Sequence, residues 1–187
     1  MIQNETMQSI LARRSYKMFD GRPIGDEELD TILTAGLYAP TGMNSQPWHF
    51  TVIRSKEMLD RIAEAKKKMP MPQLPPGVVA RPMPPMQMGD PMRNAPVLII
   101  VSGKPGMTSS YDCVLAMENM FIAAASLGIM SGWEHSMVRE FFSPGMNDDL
   151  TAELIPEGNT VYAAAFFGYP AGEVKDRGPR KGTISYF

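Results

Sequence analysis

Two short stretches of the sequence carry the side chains best suited to bind a polar ligand. The first is Arg13–Lys17 (RRSYK), whose guanidinium, hydroxyl and ammonium groups are suited to hold a phosphate. The cationic tail, with Arg177, Arg180 and Lys181, supplies a second basic group that could close on the same anion. A charge cluster at the end of a helix is more often simply solvated, so this feature alone leaves both interpretations open.

The second stretch is Ala39–Trp48 (APTGMNSQPW), in which small polar residues lie between Pro40 and Pro47. A stiff loop of this kind offers amide and hydroxyl groups to a polar ligand, and the tryptophan at the entrance of the next strand offers a packing surface. The alternative is that the loop only connects a helix to a strand.

Several other chemistries have no support in the sequence. It contains no GxxxxGK[ST], GxGxxG, GxSxG or HExxH pattern, which argues against a phosphate-binding glycine loop, an esterase elbow and a helix-borne zinc site. Cys113 with His49 or His135 is conceivable as a thiol–imidazole pair. We favour a structural role, because Cys113 lies in the longest predicted helix near its buried face.

Composition narrows the class of protein further. The 187 residues include 18 Lys and Arg against 20 Asp and Glu, a net charge of −2, which argues against nucleic acid or a polybasic membrane contact as partner. No run approaches the roughly 18 apolar residues of a membrane span, and the N-terminus does not resemble a secretory signal. With Cys113 as the only cysteine, we expect a single cytoplasmic domain, residues 1–187, in a reducing compartment.

Apolar residues at spacings of three and four predict the helices that position these stretches. The predicted helices are Glu5–Arg13, one from Asp26 that ends before Pro40, one capped by Ser55 that runs to Lys68, the long helix Ser110–Leu127, and a short helix at Met137–Phe142. The second helix is expected to bury Leu29, Ile32, Leu33 and Leu37, and the long helix Val114, Met117, Phe121 and Ala124.

Alternating or wholly apolar runs predict four strands at Trp48–Arg54, Val97–Ser102, Ile129–Trp133 and Val161–Phe167. Because helices and strands do not alternate regularly, an α+β sheet flanked by helices is favoured over a doubly wound fold. The segment 69–93 is rich in Met and Pro and predicts an irregular loop. The tail, residues 168–187, is expected to wrap over another part of the structure.

Taken together, RRSYKMFD (Arg13–Asp20) and APTGMNSQPWHF (Ala39–Phe50) resemble the flavin-dependent nitroreductase family. Three further segments agree with this resemblance: NAPVLIIVSG (Asn94–Gly103), ENMFIAAASLGI (Glu118–Ile129) leading to Gly132-Trp133, and FFGYPAGE (Phe166–Glu173). It covers most of the chain and fails between about Lys66 and Arg93.

The resemblance implies an α+β fold with a mainly antiparallel sheet, assembled as an intertwined homodimer that binds two FMN molecules at its interface. Members of the family pass hydride from NADH or NADPH through flavin N5 to a nitroaromatic, quinone or other electrophilic small molecule. The flavin carries the chemistry, so neither a catalytic side chain nor a metal is implied.

The resemblance also implies the cofactor-binding residues. Arg13, Arg14, Ser15 and Lys17 would hold the phosphate and the pyrimidine edge. Asn44, with Pro40, Thr41, Gly42 and Gln46 in the same loop, would approach from the neighbouring subunit. Met130, Ser131, Gly132 and Trp133, continuing to Glu134, would lie along the isoalloxazine. Arg180, or else Arg177 or Lys181, would close on the phosphate.

The Met/Pro segment departs from the family pattern. Met83, Met86, Met88 and Met92 lie there near Arg81 and Arg93, and adaptable methionines suit a lid over an apolar acceptor site. A loop that wraps the dimer, or is disordered, is an equal alternative. The departure also leaves open a flavoenzyme with a narrower task, such as enone reduction, dehalogenation or flavin destruction. Two further classes stay open beside it: a non-catalytic flavin sensor or carrier, and an interaction module without flavin.

Overall fold

The computed structural model describes residues 2–70, 89–175, 178 and 180–187. Its helices agree closely with the sequence prediction, apart from a last short helix that the sequence analysis missed. They are α1 (Glu5–Ala12), α2 (Asp26–Leu37), α3 (Lys56–Lys68), α4 (Ser109–Ser126) and α5 (Asp148–Leu154). None of the helices within these ranges is long and apolar enough to cross a bilayer.

Four strands form one sheet. They are β1 (Trp48–Ile53), β2 (Val97–Gly103), β3 (Met130–Trp133) and β4 (Thr160–Gly168), in the spatial order β1-β2-β4-β3. Every neighbouring pair is antiparallel. The expected α+β architecture with an antiparallel sheet is therefore confirmed.

The sheet is covered on both faces, and β2 is buried along its whole length. Because side chains alternate along a strand, Leu98 and Ile100 pack with α3 and α5 in one core. Ile99 and Val101 pack with α2 and α4 in the other. This double covering explains why the sequence of β2 is almost continuously apolar.

Two predicted core residues are exposed instead. Leu37 is 53% exposed and Val114 41% exposed. Helix α2 approaches α4 so closely at Gly36 that a β-carbon there would overlap the side chain of Met120. The buried stripe of α2 therefore runs through Gly36 rather than Leu37, a choice that depends on the partner helix.

The short predicted helix at 137–142 is a π-helical turn, Met137–Phe141. In the Met/Pro segment, Met92 is 5% exposed and belongs to the core, so its assignment to a lid is wrong. Residues 71–88, which include Met83, Met86, Met88 and Arg81, lie outside the described residues. The lid hypothesis for them stays a prediction.

Candidate functional site

The basic stretch after α1 lies directly beside β3. Ser15 and Ser131 form an isolated parallel bridge, and the Tyr16 amide donates to the carbonyl oxygen of Ser131 at 2.8 Å. A β-carbon on Gly132 would overlap the carbonyl oxygen of Tyr16. The tertiary structure thus joins two of the stretches that the sequence analysis assigned to one ligand.

The two arginines of this stretch contact the end of α1 and the side of α4. Arg13 Nε lies 3.8 Å from a carboxylate oxygen of Glu118, with its side chain 24% exposed. Arg14 donates from Nη1 to the carbonyl oxygens of Leu11 and Arg13, the latter at 2.9 Å. These contacts tie Arg13 to α4 and Arg14 to the end of α1.

The chain after β4 returns along the same stretch. The Ala171 amide donates to the carbonyl oxygen of Met18 at 3.1 Å, and the Tyr16 hydroxyl donates to the carbonyl oxygen of Gly172 at 3.2 Å. The tail therefore starts beside the basic stretch. Arg180 and Lys181 are exposed, whereas Arg177 lies outside the described residues, so the choice of phosphate partner among these three stays a prediction.

The polar loop is held in an uncommon backbone conformation. It contains a 3₁₀ turn, Gly42–Asn44, and Met43, Asn44 and Gln46 have φ values of 53°, 54° and 43°. Left-handed conformations of this kind cost on the order of 1 kcal/mol for each residue that is not glycine, and they persist only where the surrounding structure enforces them.

The enforcing group is Asp112 in the first turn of α4, whose side chain is buried. Its carboxylate accepts from the Gly42 amide at 3.2 Å, from Ser45 Oγ at 3.4 Å and from Thr108 Oγ1 at 2.8 Å. Hydrogen bonds to a charged acceptor are stronger than neutral ones. The hydrogen bonds from Gly42 and Ser45 therefore attach the loop to α4.

Asn44 and Gln46 are exposed, as are Met43 and Ser45 between and beside them. Gln46 Nε2 donates to Asn44 Oδ1 at 3.0 Å, and the Gln46 amide lies 3.4 Å from Thr41 Oγ1. These contacts order two amide groups at the surface.

Cys113 is buried next to Asp112. Burial, reinforced by the neighbouring carboxylate, raises the pKa of its thiol to about 12. A thiol with that pKa is not a nucleophile at neutral pH, which supports the structural role favoured from the sequence.

A buried ionic cluster that the sequence analysis did not identify lies at the end of β3. Glu134, with 7% of its side chain exposed, has Oε1 3.3 Å from Lys66 Nζ and Oε2 3.2 Å from Arg93 Nη2. Ser136 Oγ also donates to Oε1, at 2.5 Å. Both cations lie near the ring of Phe166, at 5.5 and 5.6 Å from its centroid.

The pKa values of Glu134 and Lys66 are set by burial and by the charges around them, including that of Arg93. Burial alone would raise the pKa of Glu134, but Lys66, Arg93 and Ser136 outweigh it and leave that pKa lowered. Burial lowers the pKa of Lys66, and Glu134 opposes this shift only in part because Arg93 repels the ammonium group. Both pKa values therefore lie below their ordinary values, that of Glu134 because of its cationic and hydroxyl partners and that of Lys66 because of burial.

A signal for Lys66 was present in the sequence. It follows Ile62 by four positions and Ala63 by three, which places it on the buried stripe of α3. Lys67 and Lys68 follow it at the end of the helix, where the helix dipole favours cations whether they are buried or solvated. Asp112 similarly lies on the buried face of α4, where an unpaired carboxylate would be costly.

A groove of about 880 Å³ lies between α3 and α5, lined by residues such as Lys56, Arg61, Ala65 and Met146. None of the predicted cofactor-binding residues in the described ranges lines it. In the part of the chain that the structure describes, no group of three or more His, Cys, Asp or Glu side chains is arranged to hold a metal ion.

Comparisons with known proteins agree with this arrangement. Residues 10–166 match the model of the Nitroreductase family. A protein of Archaeoglobus fulgidus, named provisionally as an NADH dehydrogenase/NAD(P)H nitroreductase, is 33% identical over 176 residues, which are 90% of this chain and 87% of the relative.

Solved structures show the same fold. A nitroreductase with bound FMN from Bacteroides fragilis superposes with a TM-score of 0.77 at 32% identity, over 99% of this chain and 100% of the other. A nitroreductase with bound FMN from Desulfitobacterium hafniense gives a TM-score of 0.80 over the full length of both chains, at 24% identity.

Proposed function

The chain belongs to the Nitroreductase family, and from that premise we propose that it is an FMN-dependent oxidoreductase that takes hydride from NADH or NADPH. When bound, FMN supplies the redox chemistry by accepting hydride at N5 and passing it to an electrophilic acceptor. The similar protein from Bacteroides fragilis is described with bound FMN, which supports this cofactor here.

The residues beside β3 fit such a cofactor. The main chain of Tyr16 fills the space beside Gly132, so a ring lying along β3 would also lie beside the basic stretch. The basic stretch adjoins this part of β3. Its side chains would hold the phosphate and the pyrimidine edge of the flavin, namely those of Arg13, Arg14, Ser15 and Lys17. FMN carries close to two negative charges on its phosphate, and a protein of net charge −2 needs a local cationic group to bind it.

The protein's part in the reaction is to position the reactants. Main-chain groups of Met130–Trp133 would fix the ring by hydrogen bonding, and the burial of Ser131 and Gly132 keeps water from that side of the ring. Hydride would pass directly between the cofactor and its bound partner, and the proton that a reduced quinone or nitro group also takes up would come from solvent.

We include a homodimer in the proposal. The loop Thr41–Gln46 exposes Asn44 and Gln46, and in this proposal it approaches the flavin of the second chain. Apolar side chains suited to the interface are exposed on three elements: Ile10 and Leu11 on α1, Leu37 and Tyr38 at the end of α2, and Tyr111, Val114 and Leu115 on α4. Burial of such a patch between two copies would stabilise the dimer.

Nitroaromatic compounds and quinones are the acceptor classes we propose. An oxygen-insensitive NAD(P)H nitroreductase from Salmonella typhimurium is 43% identical over 56 residues, which are 29% of this chain and 26% of that protein, and this supports the nitro group as one acceptor. We place the enzyme in the cytoplasm as part of the same proposal, since Cys113 is a free thiol.

The observation that carries the proposal is the contact between Ser15–Tyr16 and Ser131–Gly132, because it joins the two main cofactor-binding stretches within one protomer. The test is an anaerobic visible spectrum of the purified protein with added FMN, before and after NADH or NADPH. We expect a bound flavin spectrum that one or both nucleotides bleach. A protein that binds no FMN would refute the proposal, and flavin that neither nucleotide reduces would indicate a carrier or another electron donor.

A further inference from the structure

Tyr169, directly after β4, joins the chain that leaves the sheet to the start of α2. Its hydroxyl donates to both carboxylate oxygens of Glu28, each at 2.6 Å. Oε2 of Glu28 also accepts from the Gly25 amide at 2.9 Å, as in a capping box at the first turn of a helix. The Tyr169 hydroxyl and the Gly25 amide lower the pKa of Glu28, and the hydrogen bond to Glu28 raises the pKa of Tyr169. The contact is therefore one between a neutral donor and a charged acceptor.

The ring and the main chain of Tyr169 are fixed on a second part of the chain, just after the basic stretch. The guanidinium carbon of Arg22 lies 3.5 Å from the centroid of the ring, a distance at which a cation is attracted to an aromatic face. The carbonyl oxygen of Tyr169 accepts from the Asp20 amide at 3.0 Å. The carboxylate of Asp20 in turn accepts from the Arg22 amide at 2.8 Å. Tyr169 thus links three segments that are distant in sequence.

The chain that follows Tyr169 forms two hydrogen bonds on either side of Lys17. The Ala171 amide donates to the carbonyl oxygen of Met18 at 3.1 Å. The Tyr16 hydroxyl donates to the carbonyl oxygen of Gly172 at 3.2 Å. Lys17, one of the residues assigned to the cofactor, therefore takes its position from this pairing.

The contact with Glu28 is the strongest of these connections. The two hydrogen bonds beside Lys17 join neutral groups at 3.1 and 3.2 Å, whereas the hydroxyl of Tyr169 lies 2.6 Å from a carboxylate. Hydrogen bonds to a charged acceptor are shorter and roughly twice as strong as those between neutral groups. Without the hydroxyl, the chain after β4 would lose the anchor that keeps it beside Lys17.

We propose that Tyr169, through its hydrogen bond to Glu28, is a positioning residue that fixes Lys17 in the place from which it binds FMN. This inference rests on the proposed function. Tyr169 itself touches neither the flavin nor the hydride donor in this proposal. Its effect is on affinity, because a segment that is already ordered loses less conformational freedom when the ligand binds.

The test uses two variants of the contact and two matched controls. Tyr169→Phe removes the hydroxyl and keeps the ring beside Arg22, and Glu28→Gln keeps an acceptor but removes its charge. Tyr162→Phe is the control for the first, because Tyr162 is a partly buried tyrosine earlier on β4. Glu27→Gln is the control for the second, because Glu27 is an exposed carboxylate in the same first turn of α2.

Two quantities are measured for each variant. The dissociation constant of FMN comes from fluorescence quenching of the folded protein, and urea unfolding of the same protein without FMN gives its stability. Tyr169→Phe and Glu28→Gln are also each combined with Lys17→Met. The combinations show whether Tyr169 acts through Lys17, since two changes that affect one interaction do not add.

We expect Tyr169→Phe to weaken FMN binding about tenfold, the scale of one lost hydrogen bond to a charged group. Glu28→Gln should weaken it less, because the amide oxygen still accepts from Tyr169. Tyr162→Phe and Glu27→Gln should bind FMN as the wild type does. In the Lys17→Met protein, whose affinity is already reduced, Tyr169→Phe should have little further effect.

A purely structural role gives a different result. If Tyr169→Phe lowers the urea midpoint and leaves the dissociation constant of FMN unchanged, the inference is wrong. Additive losses for Tyr169→Phe and Lys17→Met also refute it, as does an unchanged affinity in Lys17→Met alone. If Tyr169→Phe does not fold, Glu28→Gln and its combination with Lys17→Met decide the question by the same comparison.

Failure of this inference is distinct from failure of the proposed function. A wild-type protein that binds FMN and is reduced by NAD(P)H, with Tyr169→Phe of equal affinity, refutes the inference alone. A wild-type protein that binds no FMN refutes it together with the proposed function.

Discussion

The carbonyl oxygen of Tyr16 occupies the space that a β-carbon on Gly132 would need. Because the Tyr16 amide also donates to Ser131 at 2.8 Å, the two backbones cannot separate without loss of that hydrogen bond. Glycine at position 132 is thus required by the close approach of two chain segments, and no unusual dihedral angle is involved.

Gly132→Ala should accordingly destabilise the protein by about 1–3 kcal/mol, the usual range for overpacking a well-packed site, and should weaken FMN binding. Thermal unfolding and FMN titration measure the two effects. Gly89→Ala is the control, since a β-carbon there meets no described atom within 4 Å. Equal melting temperatures for the two variants would show that the contact between Tyr16 and Gly132 is not restrictive.

The carboxylate of Asp112 should be required for the conformation of the polar loop. Asp112→Asn retains the shape of the side chain. It removes the negative charge of the carboxylate, whose oxygens accept hydrogen bonds from Gly42, Ser45 and Thr108. We expect the affinity for FMN to fall about tenfold, equivalent to roughly 1.4 kcal/mol, because Asn44 and Gln46 lose their fixed positions.

The control for Asp112 is Asp149→Asn, an exposed carboxylate in the first turn of α5. Fluorescence titration of both variants with FMN makes the comparison. An unchanged affinity in Asp112→Asn, with the protein folded, would contradict a role for the loop in cofactor binding.

Cys113 should be unreactive in the folded protein. With a pKa of about 12, roughly one thiol in 10⁴ is ionised at pH 8, compared with about a quarter for an ordinary cysteine of pKa near 8.5. A chromogenic disulfide reagent should therefore react with Cys113 only after addition of denaturant. Rapid reaction under native conditions would show that the thiol is accessible and ionised.

The buried carboxylate Glu134 should contribute to stability in a pH-dependent way. Its folded-state pKa is lowered, so its stabilising contribution is present above the unfolded-state value near 4.5 and is lost as the pH falls through the folded-state pKa. Glu134→Gln leaves two buried cations without their carboxylate and should cost about 3–5 kcal/mol at pH 7.

The matched variant for this prediction is Glu153→Gln, which removes a half-exposed carboxylate paired with Arg61. It should cost less than about 1 kcal/mol, as exposed ion pairs do. Urea unfolding at pH 7 and at pH 3.5 separates the cases, because the difference between wild type and Glu134→Gln should shrink at the lower pH. A difference independent of pH would assign the loss to packing.

The apolar surface formed by α1, α2 and α4 should be the dimer interface. Leu115→Glu introduces a charge into this surface, where Leu115 is 44% exposed in one protomer, and should yield a monomer that binds FMN poorly. Met146→Glu alters a methionine of similar exposure, 41%, elsewhere on the protein and should leave the dimer intact. Sedimentation analysis distinguishes the two results, and a dimeric Leu115→Glu protein would place the interface elsewhere.

The sequence by itself determined the four strands and the helices other than α5. The continuous apolar run of β2 predicted a strand covered on both faces, and Ser55 predicted the start of α3, where its side chain accepts from the Met58 amide. These features depend on neighbours three or four positions apart or on the period of one strand. Local residue types therefore suffice to identify them.

The tertiary structure alone decided which of those residues meet. The burial of Gly36 in place of Leu37 depends on how closely α2 approaches α4, and the role of Asp112 depends on a loop that is distant in sequence. The ionic cluster joins Lys66, Arg93 and Glu134 from three separate segments. A basic residue at the end of a helix has the same local pattern whether it is solvated or buried, and only long-range packing determines whether its charge is paired.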